Sequence, residues 1–191
     1  MADALIVSGG EKGRCALRGL LSEMGVNEAE CLCGGGEARR ALAEGDYALL
    51  VVNTPLQDES GAELAVDAAG STGAGVVLLV KAEAADEMAA RVEDAGVFVV
   101  AKPLNRTLLF GAVKLALAAH RRLVGLQQQN TKLQQKIDDI RLVDRAKCAL
   151  IQYRQLTEPE AHKYIERQAM DGRRSRRAVA EEILLNFEGH L

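Results

Sequence analysis

Two groups of side chains in this sequence have types and spacing suited to chemistry. The first is cationic. Arg145, Lys147, Arg154, Lys163, Arg167, Arg173, Arg174, Arg176 and Arg177 crowd the C-terminal end, with His162, Tyr164 and Gln168 among them. Lysine and arginine at that density contact phosphate, and histidine or glutamine can hydrogen-bond an unpaired base, so a polyanion is the ligand class they suit. The second group stands at the ends of apolar runs: Ser8-Gly9, Val51 to Thr54, Lys81-Ala82 and Lys102-Pro103. If those runs are strands of an open parallel sheet, these residues line the crevice where such sheets place their functional groups. None of them is a carboxylate, so the hard ligands for magnesium and an anionic phosphoryl acceptor are both missing.

Other constellations lead nowhere catalytic. Gly34-Gly35-Gly36 lacks the strand-then-helix context and the Lys-Ser/Thr ending of a phosphate loop, and reads as a turn. Cys31 and Cys33 could ligate a metal only with further partners, but His120, His162 and His190 lie far down the chain. No metal site is expected, and Cys15, Cys31, Cys33 and Cys148 read as reduced thiols, Cys15 and Cys148 within apolar helical patterns. With no paired acid and base, no partnered nucleophile and no cofactor loop, neither an enzyme nor a cofactor is expected.

The elements that must position these groups follow from periodicity. ALIV (4–7), AECLC (29–33), YALLVV (47–52), GVVLLV (75–80) and VFVVA (97–101) alternate with segments of helical period at 12–24, 60–69 and 84–94. That alternation predicts an α/β fold with a five-stranded, doubly wound parallel sheet over residues 1–120. Gly25, Gly45, Gly73 with Gly75, and Gly96 fall where helices should stop, predicting left-handed termini. Asp58, in QDESG, reads as the cap of the helix that follows it.

From Asn105 the strand signal ends and only Pro159 remains as a breaker, so a helix starting near Arg106 can run for some forty residues. Ala116, Ala119, Leu123, Leu126, Asn130, Leu133, Ile137 and Ile140 are spaced 3, 4, 3, 4, 3, 4, 3 along it. This is a heptad seam, with Leu123, Asn130 and Ile137 at a and Leu126, Leu133 and Ile140 at d. A lone asparagine at a favours a parallel two-stranded coil, because two amides pair across the axis in one register only. Residues 113–143 are therefore expected to form a homodimer; the competing arrangement packs the seam on the chain's own domain. Beyond it, a helical domain over 138–191 is expected, made of the end of the long helix, a second helix capped by Thr157-Glu158-Pro159-Glu160 and ending at Asp171-Gly172 with the glycine left-handed, and a third from about Arg174 to Phe187. Tyr164 and Met170 read as packing residues, and Arg176 and Arg177 as a solvated helix face.

Charge divides along the same line. Residues 1–119 carry 10 Lys/Arg against 17 Asp/Glu, a net of −7, and residues 120–191 carry 14 against 10, a net of +4. No apolar run reaches the ~20 residues needed to cross a bilayer, and MADALIVSGG has no basic flank, so a cytoplasmic protein with no membrane partner is expected.

With Lys102-Pro103 after the fifth run and Pro55 four residues after Val51, the first part resembles the receiver domain of bacterial response regulators. That resemblance implies a metal-binding acidic pair where Ser8 and Gly9 stand, a phosphoryl acceptor at Val51 and a Ser/Thr sensor at Val80 or Lys81; of the family's set only Lys102 is kept, beside a proline whose preceding bond is cis in receivers. The missing groups make it a pseudo-receiver that is not expected to be phosphorylated, and three inputs stay open: a regulatory protein on its surface, a small ligand in the crevice, or none beyond expression level. Residues 144–185 resemble the ANTAR output domain of the amide and nitrate regulators, through Ala146-Lys147, Leu150-Ile151, Thr157-Glu158, Glu160-Ala161, Tyr164, Ala169-Met170, Val179-Ala180 and Ile183. The resemblance implies two-component signal transduction ending in transcription antitermination, a dimer binding tandem RNA hairpins of a leader transcript. Two readings from other classes stay open: a DNA-binding regulator, with RRSRRAV opening the recognition helix of a helix-turn-helix, and a dimeric interaction scaffold.

Overall fold

In the computed structural model, which describes residues 3–188, the apolar runs become β1 (Ala4–Ser8), β2 (Ala29–Leu32), β3 (Leu49–Asn53), β4 (Gly75–Lys81) and β5 (Phe98–Lys102). They form one parallel sheet in the order β2-β1-β3-β4-β5. Alternating side chains feed two cores, as a two-residue period requires. Leu5, Val7, Leu50, Val52 and Leu78 face α2 (Gly35–Glu44), α3 (Ala62–Ser71) and α4 (Ala85–Val92). Ala4, Ile6, Leu49, Val51 and Leu79 face α1 (Glu11–Glu23) and the start of α5 (Arg106–Arg154).

Asn105 opens α5, its side-chain oxygen accepting from the backbone N–H groups of Thr107 and Leu108 at 2.9 and 3.2 Å. Gly75 lets α5 lie close: a Cβ there would stand 2.2 Å from the carbonyl oxygen of Ala116. One turn further, His120 Nδ1 donates to the carbonyl of Gly73 at 2.7 Å. Gly75 thus serves close approach, and Gly45 is extended; of the predicted left-handed termini, Gly25 (φ 86) and Gly96 (φ 75) have that conformation.

Asp58 does not cap the helix after it. Its carboxylate accepts from the backbone N–H groups of Gly35 and Gly36, at 2.8 and 3.0 Å, and so closes the N-terminus of α2. These hydrogen bonds hold the Asp58 carboxyl below its usual range. The glycine run, expected as a turn without a strand-then-helix context, in fact joins β2 to α2 and opens that helix. The close approach there leaves no room for side chains: a Cβ on Gly34 would meet Asp58 at 2.8 Å, and one on Gly35 would meet Glu59 at 2.0 Å. Arg39 of α2 completes the tie by pairing with Glu59 at 2.9 Å and Asp67 at 3.3 Å.

The contacts divide the chain into two compact units between Leu126 and Gln127. The second unit packs the last turns of α5 against α6 (Glu158–Asp171) and α7 (Arg176–Glu188), around Ala146, Leu150, Ala161, Ile165, Val179 and Ile183. Glu160 accepts from the Thr157 backbone N–H at 2.9 Å and from its hydroxyl at 2.7 Å, which starts α6 where expected. Its stop differs from expectation. Gly172 has an ordinary φ of −83, and Arg173 takes the positive φ of 47. Glycine is still apt at 172, because a Cβ there would meet Gln168 O and Arg174 at 3.0 Å. Ser175 then caps α7 by accepting from the N–H of Ala178 at 3.1 Å.

Candidate nucleic-acid interface

The C-terminal ends of the strands carry a closed polar network. Ser8 and Asn53 are register partners on β1 and β3, and Asn53 Nδ2 donates to Ser8 Oγ at 3.0 Å. Lys102 Nζ donates to Asn53 Oδ1 at 3.0 Å and to the Thr54 carbonyl. Arg14 binds the Ser8 carbonyl at 2.7 Å, and Gln57 reaches the Gly9 carbonyl at 2.9 Å. Burial, then the adjacent Lys81, pushes the Lys102 ammonium below the usual lysine range. Both Lys102-Pro103 and Thr54-Pro55 are cis.

Proline spacing points to Val51 as the acceptor position, but Val51 is fully buried inside β3 and faces the core. Asn53 ends the strand and meets Lys102, so it occupies that place. Strand register would have found it, since Ser8 pairs with Asn53. Gly13 belongs to the same arrangement: a Cβ on it would stand 2.7 Å from Ser8 Oγ. Lys81 is exposed at the end of β4, paired in register with Lys102. None of Ser8, Asn53, Lys81 and Lys102 bears a carboxylate.

The cations of the second unit divide into spent and available ones. Lys147 is held between Asp144 at 2.8 Å and Glu158 at 3.0 Å, with 17% of its side chain exposed, and these contacts raise its pKa. Arg177 pairs with Asp139 at 2.8 Å and Glu181 at 2.9 Å, and Arg176 with Glu166 at 3.1 Å. Arg176 and Arg177 therefore tie helices together instead of merely solvating α7. Arg174 is paired with Glu182, and His162 lies 3.4 Å from Glu166. By contrast Arg167 is 84% exposed with only a loose 3.6 Å contact to Asp171. Arg173 and Lys163 are exposed, with no ion pair within 4 Å among the described residues.

Arg154 lies over the Tyr164 ring, 5.4 Å from its centroid, and donates to the hydroxyl at 3.2 Å. Tyr164 packs on the core with one side while Arg154 covers its ring. Met170 does not pack; it is 78% exposed. Arg145 and Cys148 border an apolar groove of about 620 Å³ beside the stacked rings of Tyr153 and Phe187, whose centroids are 4.9 Å apart. Cys15 and Cys148, placed by pattern on apolar faces, are both exposed, and all four cysteines are free thiols. His190 lies outside the described residues.

The heptad side chains Leu123, Leu126, Leu133, Ile137 and Ile140 are all exposed in the single chain, as is Asn130. At its start the same stripe is covered, Ala116 being fully buried against the sheet of the first unit, so the exposed part of the seam begins at Leu123. No helix among the described residues is long and apolar enough to cross a membrane.

A parallel β2-β1-β3-β4-β5 sheet with helices on both faces is the receiver fold, here continued by its fifth helix into a second, helical unit. Solved receivers share the fold. The signal receiver domain of an HD domain-containing protein from Pseudomonas fluorescens Pf-5 superposes with a TM-score of 0.57 at 19% identity, over 64% of this chain and 90% of that one. A two-component response regulator from Clostridium difficile gives 0.54 at 24% identity, over 64% and 98%. Residues 131–184 match the family model of the ANTAR domain. The transcriptional regulatory protein PdtaR of Mycobacterium tuberculosis is 33% identical over 155 residues, 79% of this chain and 74% of the relative. The chain belongs to the ANTAR-domain response regulators.

Proposed function

We propose that this protein is an RNA-binding transcription antiterminator that works in the cytoplasm as a homodimer. The dimer pairs through the α5 seam and holds adjacent hairpins of a leader transcript, so that a competing terminator hairpin does not form. The observation that carries the reading is the ANTAR match at 131–184, lying on a helix whose heptad seam is exposed. Arg167, Arg173 and Lys163 are the cations best placed to contact phosphate, because all three are exposed, Arg173 and Lys163 have no ion pair within 4 Å among the described residues and Arg167 has only the loose contact to Asp171. A helix-turn-helix reading has less support, because most of its arginines are paired. Of the four arginines in RRSRRAV, Arg174, Arg176 and Arg177 are engaged with Glu182, Glu166, Asp139 and Glu181, and only Arg173 has no ion pair among the described residues.

The receiver-like domain is read as a platform without phosphoryl chemistry, regulated by a protein or small-ligand partner. An amide at Asn53 cannot accept a phosphoryl group, and Ser8 and Gly9 offer no carboxylate for magnesium. Incubation with acetyl phosphate and magnesium should leave the mass of the protein and its RNA affinity unchanged; a phosphoryl adduct on this domain would refute the platform reading. For the main proposal, fluorescence anisotropy with a labelled two-hairpin RNA should show binding that weakens steeply with salt. Equal affinity for a DNA duplex of matched length would overturn it.

A further inference from the structure

Three pairs of residues with helical i, i+4 spacing converge on one side of the second unit: Leu150 and Arg154 of α5, Tyr164 and Gln168 of α6, Glu182 and Asn186 of α7. With Leu150, Ile183 and Phe187 as an apolar floor, they bound a cavity of about 290 Å³. This is just below the ~300–1,000 Å³ of drug-sized ligand sites, so it suits a single ring system rather than a larger molecule.

Two of the polar walls have no partner among the described residues. The side-chain amides of half-buried Gln168 and of Asn186 make no hydrogen bond with any described residue. Each presents both donors and an acceptor, the pattern that reads the edge of a base. The Arg154 guanidinium over Tyr164 supplies a delocalised planar group on which a base can stack. Of the charged groups lining the cavity, Arg174 is paired with Glu182 and Arg154 is held over Tyr164, which leaves the two amides as the polar groups without a partner among the described residues.

Resting on the RNA-binding reading above, we propose that this cavity takes one unstacked nucleobase from a hairpin loop and is where the protein reads RNA sequence. Phosphate contacts by Arg167, Arg173 and Lys163 then hold the RNA without discriminating among loops. The division of labour separates this inference from the reading it rests on.

The test is a binding titration of the full-length protein against a two-hairpin RNA in which loop nucleotides are made abasic one at a time. With wild type, one abasic position should weaken binding roughly five- to hundredfold, the range expected for losing one stacked base. In Gln168→Ala/Asn186→Ala that position should lose its effect, while the salt dependence stays at the wild-type slope. Gln168→Glu, which preserves shape and replaces donors by acceptors, should change which base is preferred there and keep the wild-type melting temperature. If both variants retain the full abasic penalty and the wild-type base preference, the cavity does not read the base and the inference is overturned. If wild type binds with a steep salt dependence but no abasic position matters, the inference fails and the RNA-binding reading stands. If wild type binds no hairpin RNA at all, both fail.

Discussion

The two ends of this molecule hold polar groups in opposite states. In the crevice of the first unit, Ser8, Asn53, Lys102 and Arg14 satisfy one another or nearby carbonyls. In the second unit, Gln168, Asn186 and Arg173 face outward without protein partners among the described residues. A closed network stabilises a fold, whereas an open one can bind. The proposed division of roles, a supporting first unit and an RNA-contacting second one, rests on that difference.

Removing a packing residue from the second unit should break the comparison most severely. Leu150 is 1% exposed at the centre of the helical core, and Leu150→Ala should cost about 2–5 kcal/mol. Hydrogen exchange should show the loss in α6 and α7 while the sheet keeps its protection; equal loss in both units would mean they fold as one. Next comes the seam. Leu133→Asp puts a charge on the exposed heptad stripe and should convert the proposed dimer to a monomer in sedimentation, and Asn130→Val should loosen the choice of oligomer. A wild type that sediments as a monomer would remove the dimer.

A third prediction separates spent from available cations. Replacing Lys163, Arg167 and Arg173 together by alanine should lower the slope of log affinity against log salt by about 2, at ~0.7 per lost contact. Lys147→Ala should instead lower thermal stability and leave the slope alone, since Lys147 clamps α5 to the start of α6. A slope change with Lys147→Ala would show that its charge reaches RNA. The smallest effect concerns Asp58. Because its folded pKa is depressed, its stabilisation is present above the ordinary carboxylate range and is lost as pH falls through the lowered value. The melting-temperature gap between wild type and Asp58→Ala should therefore shrink between pH 7 and pH 3, and a constant gap would exclude the latch.

Much of this was legible in the sequence, for identifiable reasons. The strands and the heptad stripe depend on local periodicity, so their residues could be named before any contact was known. The capping box at Thr157 is equally local. The acceptor position was misplaced because counting back from Pro55 assumes a loop length that β3 does not respect; strand register, a property of two strands, puts Asn53 there. Asp58 was assigned to the nearer helix because nothing local distinguishes a cap for α3 from one for α2. The basic cluster read as uniformly available, and the pairing of Arg177 with Asp139 on another helix could emerge only from tertiary approach. The cavity between α5, α6 and α7 is not legible locally for that reason too: Glu182 and Asn186 adjoin Gln168 only in three dimensions.

The central claim is that this regulator acts on transcripts. Single-round transcription from a template whose leader encodes two adjacent hairpins overlapping a terminator tests it most directly. Wild-type protein should raise the fraction of full-length transcript, and the variant lacking Lys163, Arg167 and Arg173 should raise it much less. Unchanged termination at protein concentrations that saturate the leader RNA would contradict the account.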